Sequence, residues 1–305
     1  MQVEVNNNLK ISDVCAIIVS YFPDTGFKER LYKILCQVDR IVIINNGSNI
    51  SLTEILGELV GNKKIKLIQN PQNLGIAKAL NQGIALAFEE GYRWAWSFDH
   101  DTSVPQGVLG KLISCYNEIV INQKIGLVAP NFYDINSGYY CLDLNKQGSY
   151  FEVVSAINSG SLIRLDIFYE LGAFNEKFFI DCVDDEYCLR MYEKNYKAIL
   201  VKNAVIHHKV GFATNHKLFH KSLVTKNHSP LRRYYWSRNG FSLIIKYIFH
   251  KPLLALGILK SHLITIFITL LFEKQKLKKL RYLILGAFDA IINKFDRKVS
   301  IAEMD

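Results

Sequence analysis

The 305-residue chain carries 37 lysines and arginines against 28 aspartates and glutamates, a formal charge of +9, and half of it is hydrophobic. A mean hydropathy of +0.08 is too low for a protein of many membrane spans yet high for a freely soluble enzyme, so apolar residues are concentrated in one place. The length suits one large α/β domain with an appendage rather than two catalytic domains, and six scattered cysteines without a C-x-x-C pair indicate neither a zinc site nor a disulfide framework.

The polar N-terminus, MQVEVNNNLKISD, has no apolar signal core. VCAIIVS (14–20) reads as a buried parallel strand that ends in a loop with Ser20, Tyr21 and Pro23. A helix follows over 27–38, then a second buried strand, RIVII (40–44), whose carboxyl end turns through Asn45, Asn46, Gly47 and Ser48. A helix at 51–60 and a strand at 65–69 continue the alternation. The loop from Pro71 to Gly75, with Asn73, opens a helix over 76–90 that places Ala77, Leu80, Ile84 and Phe88 on one face. The strand Trp94–Phe98 then delivers Asp99, His100 and Asp101 to its end. Alternating strands and helices predict a doubly wound sheet, in which ligands sit outside the carboxyl ends of the strands, where all these polar loops gather.

Beyond residue 125 the order becomes mixed, with strand-like IGLVAPNFYD, YFEVVSAINSGSLI and AILVKNAVIHH, and a helix entered through FFIDCVDDEYCLR. Two carboxylates one residue apart suit a hard divalent cation completed by a diphosphate, although a surface turn accounts for the same triplet alone. Asn45–Ser48, Ser20, Tyr21 and Pro23 offer the amide, hydroxyl and aromatic groups of a nucleoside pocket, to which Asn73, Gly75 and Asn81 add. Asn73 serves equally as a helix cap. Asp181, Asp184, Asp185 and Glu186 crowd four acids at one helix start, so a helix terminus, an arginine or a metal must offset them and one can be held as a general base. His207, beside His208 at a strand end, is read as a metal or phosphate ligand, and the basic aromatic run Arg232–Asn239, with Arg238, as a grip for diphosphate or a basic rim.

Residues 252–272, PLLALGILKSHLITIFITLLF, are long enough to cross a bilayer, but Lys260 and His262 at their centre argue against a span. With the lysine-rich stretch that follows, the pattern predicts amphipathic helices lying on an anionic membrane surface; a helical pair packed on the rest of the chain, or joining two copies in a homodimer, is the other reading. The basic excess lies mostly after residue 200, beside this segment, which favours a membrane over nucleic acid.

The series AIIVSYFPD, IINNGS, NPQNLGIAKALNQGI, FDHDTSVP, NSGSLI, FIDCVDDEYCLR, HHKVG and RRYYWSRN resembles the rhamnosyltransferase branch of glycosyltransferase family two, over roughly residues 14–240. The resemblance implies a GT-A (Rossmann-like) fold: a mixed, mostly parallel sheet with helices on both faces, here followed by C-terminal amphipathic helices. The catalytic unit is then expected over 1–245, divided into a nucleotide-sugar half (12–105) and an acceptor half (106–245), with 246–305, read above from its own pattern, associating with the membrane. It further implies an inverting enzyme that takes L-rhamnose from dTDP-L-rhamnose to a lipid-linked saccharide in O-antigen or capsule synthesis, at the cytoplasmic face of the inner membrane. Carried over by position, Asp99 and Asp101 match the metal and nucleotide acids (Mg2+ or Mn2+), with His100 between them, and Asp184 matches the base. Asn158, Ser159, Gly160, Asp181 and Asp185 fall on the acceptor side. Val183 stands where the family usually has Glu, and Asp185 adds a second carboxylate beside the base. A UDP-hexose donor and an inactive membrane-bound module are the alternatives; a nucleotidyltransferase would need a glycine-rich basic loop that SYFPDTGFKER does not provide.

Overall fold

All seven residues of the first strand, β1 (Val14–Ser20), are buried, as expected of a strand covered on both faces. In the computed structural model, which describes residues 8–209, 211, 213–218 and 221–296, β1 lies between β2 (Ile41–Asn46) and β4 (Trp94–Asp99) and runs parallel to both. Strand β3 (Ile65–Asn70) extends this parallel set beyond β2. On the other side of β4 the sheet becomes mixed: β8 (Leu162–Arg164) is antiparallel to β4 and to β5 (Ile125–Asp134), β9 (Lys197–His208) is parallel to β5, and β7 (Tyr150–Val153) closes the edge antiparallel to β9. A two-residue strand, β6 (Tyr139–Tyr140), pairs with the end of β5.

Strand alternation assigns the two faces. Val14, Ala16 and Ile18 join Trp94, Trp96 and Phe98 in a core covered by α1 (Phe27–Leu35) and α4 (Val108–Ile119). Cys15, Ile17 and Val19 point the other way, into a core shared with α3 (Ile76–Glu89), α5 (Leu165–Leu171) and α6 (Val183–Glu193). The helix expected over 51–60 is shorter: α2 (Leu52–Leu56) gives way to a 3-10 turn, Gly57–Gly61, because Gly57 takes a φ of 54°. On α3 the core stripe is Ala77, Leu80, Ile84 and Ala87, while Phe88 is half exposed against Tyr169; a one-residue step turns a helical side chain by about 100°.

Three helices end the described chain. Ser229 caps α7 (Pro230–Tyr247) by accepting from the Arg232 amide, and Pro230 occupies its first turn. Helix α9 (Lys276–Ile291) packs closely along α7: Ser237 Oγ donates to the Leu283 carbonyl at 2.7 Å, and Tyr234 donates its hydroxyl to Asp289 at 2.8 Å. Between them, α8 (Pro252–Phe272) is long and apolar enough to cross a membrane by length and composition, with a mean hydropathy of 2.0 and only 17% of that window buried. Its Leu253, Leu263 and Phe267 are 85%, 56% and 59% exposed, whereas His262 is buried and stacked on Trp236 at 4.0 Å. A short antiparallel hairpin, β10 (Thr214–Leu218) and β11 (Lys221–Thr225), lies beside α8. Residues 297–305, the end of the expected membrane-associating segment, lie outside the described residues, as do 1–7 of the N-terminal stretch.

Gly286 is where α9 touches α7 most closely, since a Cβ there would stand 2.4 Å from the Tyr234 carbonyl oxygen. Gly286→Val is expected to destabilise the protein by about 1–3 kcal/mol, the usual cost of overpacking, read as a lower midpoint in urea unfolding. An unchanged midpoint would mean that the helices separate without loss.

Candidate active site

The acids of Asp99-His100-Asp101 sit where β4 ends, and β9 brings a histidine to them. His208 Nδ1 is 3.4 Å from Asp101 Oδ1 and Nε2 is 4.0 Å from Asp99 Oδ2, so the three side chains offer ligand atoms all within 4.8 Å of one another. The expected ligand His207 is not at this cluster. Strand alternation sends neighbouring side chains to opposite faces: His207 packs edge-on against Tyr133 at 5.8 Å and exchanges backbone hydrogen bonds with Ser103. His100 likewise turns away, its ring toward Phe27 and its carbonyl accepting from Arg30 Nε.

The electrostatics of this cluster favour a cation. Burial raises the pKa of Asp99; burial also pushes Asp101 upward, but the His208 imidazole beside it outweighs that and holds it low. Burial disfavours charge on His208, yet Asp101, Asp99 and Asp134 reverse this and raise its pKa. Asp101 Oδ1 is buried without a hydrogen-bond partner, and its deficit suits a hard divalent ion with carboxylate and imidazole ligands.

The second acidic stretch reaches the same place through two consecutive residues. The Asn158 amide donates to Asp184 Oδ2 at 3.3 Å, while the Ser159 hydroxyl accepts from the Asp99 amide at 3.1 Å and shares a 2.6 Å hydrogen bond with Thr102. Gly160 makes the bend possible: its φ is +83°, and a Cβ there would meet Pro130 Cγ at 2.7 Å and Ile206 Cδ1 at 2.9 Å. The polar atoms of the Asn158 side chain are buried and unpartnered. Asp184 and Asp185 begin α6, where Asp184 Oδ1 accepts from the Asp185 amide and Asp185 accepts from Ser155 Oγ. Burial, reinforced by the charge of Asp185, raises the pKa of Asp184 to about 7. Asp181 is bound by Arg232, whose Nε and Nη2 lie 3.0–3.2 Å from its carboxylate, and Arg232 is close enough to Asp99 and Asp101 for its charge to act on both.

The loops of the parallel half are organised by their own amides. Asn46 donates to Asn73 Oδ1 and the Gly75 carbonyl and accepts from the Leu74 amide, and Asn45 donates to Gln69 and accepts from the Ser48 amide. Gly47 has no room for a side chain, since its Cβ would lie 2.0 Å from the Gln72 carbonyl carbon. Ser20 is buried with its Oγ unpartnered at the end of β1, followed by Tyr21 and the buried Pro23. Two expected binding residues do not reach this edge. Asn81 ties down the loop at Phe174 and Glu176, and Arg238, only 1% exposed, donates to the Lys177 and Phe295 carbonyls and to Asn239. Arg238 lies six residues beyond Arg232, too far round α7 to share its face; a period of 3.6 puts about 240° between them. Ser155 was not singled out from the sequence, Thr102 stood there only as context for the acids, and His208 was read only as one of a pair with His207; the strand register separates the two, His208 pairing with Asp134 and His207 with Tyr133.

Comparison with known proteins places the chain in a family and a fold. Residues 15–169 match the family model described as glycosyl transferase family 2. The chain is 30% identical over 297 residues to the dTDP-rhamnosyl transferase RfbF of Shigella flexneri, covering 92% of this chain and 96% of the relative. Its fold resembles that of S. aureus TarS 1–349 in complex with UDP-GlcNAc, with a TM-score of 0.62 at 12% identity over 93% of this chain and 82% of that one. It also resembles the mannosyltransferase PcManGT from Pyrobaculum calidifontis in complex with GDP-Man and Mn2+, with a TM-score of 0.57 at 15% identity over 92% and 88% of the two chains.

The placement of the two histidines yields a clean contrast. Mn2+ titrated into the protein and followed by electron paramagnetic resonance should bind at least tenfold more weakly to His208→Ala and Asp101→Ala, with His207→Ala unaffected. Weaker binding to His207→Ala alone would reverse the assignment.

Proposed function

Because the chain belongs to glycosyltransferase family 2, we propose that it is an inverting, divalent-metal-dependent transferase that moves L-rhamnose from dTDP-L-rhamnose to a lipid-linked saccharide of a cell-surface polysaccharide. The donor assignment is supported by the identity to the Shigella dTDP-rhamnosyl transferase over nearly the full length of both chains. The observation that carries the reaction type is the Asn158–Ser159 bridge, which holds Asp184 on one side and the Asp99 strand end on the other. On this reading residues 12–105 form the donor half, 106–245 the acceptor half, and 246–305 the membrane-associating part at the cytoplasmic face of the inner membrane.

Asp99, Asp101 and His208 would hold Mg2+ or Mn2+, which when bound neutralises the diphosphate leaving group. Ser20, Asn45–Ser48 and the Asn73–Gly75 loop line the nucleoside end. Arg232, paired with Asp181, adds a fixed cation between the acids of the metal site and the start of α6. Asp184 takes the proton of the acceptor hydroxyl as its oxygen attacks the anomeric carbon; the bond from that carbon to the diphosphate oxygen breaks, dTDP leaves, and the configuration inverts in one displacement. A carboxylate raised to about 7 is a stronger base than an ordinary one and is still about half ionised at pH 7. The exposed apolar residues of α8, with Leu277, Ile284 and Phe288 of α9 and the neighbouring lysines, support contact with an anionic bilayer.

Three measurements test the proposal. With dTDP-rhamnose, kcat/KM should fall about tenfold per pH unit below about pH 7, where Asp184 becomes protonated, and level off above it. Asp184→Asn should abolish transfer with donor affinity retained; turnover by this variant, or transfer only from UDP-hexoses, would refute the base or the donor respectively. For the membrane, Leu253→Glu combined with Phe267→Glu should remove the protein from vesicles of anionic phospholipid in a sedimentation assay. Unchanged sedimentation would assign these faces elsewhere.

A further inference from the structure

A cavity of about 620 Å³ lies beyond α6, walled by α7, α8 and the β10–β11 hairpin. At one end stand Ser155 and Asp185, hydrogen-bonded to each other beside Asp184. Its middle is cationic. Lys226, Arg232 and Arg233 line it, Lys279 stands behind Arg233, and the carboxylates facing these four are Asp181, bound to Arg232, and Glu273, shared by Arg233 and Lys279. His228, also in the wall, reports the field: burial and these same four cations lower its pKa to about 2. Arg233 Nε and Thr269 Oγ1 are buried, line the cavity and have no hydrogen-bond partner. Two donors held out of water with nothing to bond are costly unless a ligand completes them.

Helix α8 is apolar nearly all round, but its few hydroxyl groups are not placed at random. Ser261, Thr265 and Thr269, four residues apart and so on one face, line the cavity among Leu254, Ile258 and Ile268, from the exposed Ser261 to the buried Thr269, while Leu256, Leu263, Ile264, Phe267 and Leu271 are exposed. A helix in water turns its polar stripe outward; polar groups turned inward and hydrocarbon outward fit a helix against lipid that walls a polar site. Leu253 and Gly257 belong both to the cavity wall and to the exposed surface, so the cavity opens onto that apolar face.

We propose that this cavity binds the phosphorylated head of an amphiphilic acceptor, whose apolar chain leaves past Leu253 and Gly257 onto the outer face of α8 and whose sugar lies against Ser155 and Asp185. The assignment rests on the transferase reading for the word acceptor; the ligand chemistry, an anion on a hydrocarbon chain, comes from the cavity itself. It separates the two substrates: the nucleotide sugar enters at the β1–β4 edge, the acceptor from the α8 side, and they meet at the start of α6.

Trp236 lines the cavity, whereas Trp94 and Trp96 are in the core, so intrinsic fluorescence reports occupancy. The full chain in detergent is titrated with farnesyl diphosphate, farnesol and inorganic pyrophosphate, with dTDP and Mg2+ as competitor. Farnesyl diphosphate should bind saturably, at least tenfold more tightly than either half of the molecule, and dTDP should not displace it. Gly257→Phe, at a position where an added Cβ meets nothing within 4 Å, and Lys226→Gln should each weaken farnesyl diphosphate at least tenfold with dTDP-rhamnose affinity unchanged. Displacement by dTDP, equal binding of pyrophosphate alone, or wild-type affinity in both variants would overturn the assignment. Donor binding without farnesyl diphosphate binding refutes the cavity alone; failure of the wild-type protein to bind any nucleotide sugar refutes the transferase reading beneath it.

Discussion

Five aspartates, Asp99, Asp101, Asp181, Asp184 and Asp185, are gathered around one partly enclosed site, and their mutual repulsion is the constraint that the surrounding structure answers. In water such charges would be screened within about 10 Å; at the rim of a protein they are screened much less. Each is answered differently. His208 compensates Asp101 and Asp99, Arg232 takes Asp181 in a paired contact, and Asp184 and Asp185 begin a helix whose first amides attract negative charge. What is left over is informative: Asp184 keeps a raised pKa and Asp101 an oxygen that has His208 beside it but no hydrogen bond, the two deficits that a proton-accepting base and a metal ligand require.

The compensation depends on α7, and through it on the C-terminal helices. Asp181 and Cys182 both adopt left-handed backbone conformations, with φ of 65° and 59°, as the chain enters α6. Non-glycine residues hold such angles only where neighbours enforce them. Asn239 donates its side-chain amide to the Ile180 and Asp181 carbonyls, Arg238 to that of Lys177, and Ile76 at the start of α3 donates to that of Phe179. Helix α9 in turn clamps α7 through Ser237 and Tyr234. The residues expected to lie on a membrane thus also brace the loop that aims Asp184, which is why the buried residues of α7 include Arg233, Arg238 and Asn239, charged and polar side chains seldom found inside without such work.

The strands and their end loops were legible because a fully buried parallel strand leaves a continuous apolar run, and polar residues at its end have one place to go. Residues 14–20 and 94–98 carry that signal, and the acids at 99 and 101 followed from it. The choice between His207 and His208 was not legible: two identical residues side by side at a strand end face opposite ways, and only pairing with β5 settles which histidine faces the acids. Arg238 and Arg232 share a helix and a residue type, so composition could not separate a buried brace from a residue at the site. Asn81 shows the same limit. Its amide lies on a helix predicted in the right place, yet its partners, Phe174 and Glu176, are more than ninety positions away in the chain.

The same reasoning bears on α8, whose sequence was ambiguous for a physical reason. Lys260 and His262 at its centre speak against a span, and its length and hydropathy speak for one. The fold dissolves the conflict by giving the helix two environments at once. His262 turns inward against Trp236 and the backbone of Gly240, where a Cβ would stand 1.7 Å from its Nε2, while Phe267 and Leu263 turn outward. Averaged over all directions the helix has almost no apolar face, because its inward groups are neutral hydroxyls and a neutral imidazole set among leucines. A helix of this kind is neither a core helix nor a simple anchor; its polar side is meaningful only if something polar occupies the space it walls, and that space begins beside the base.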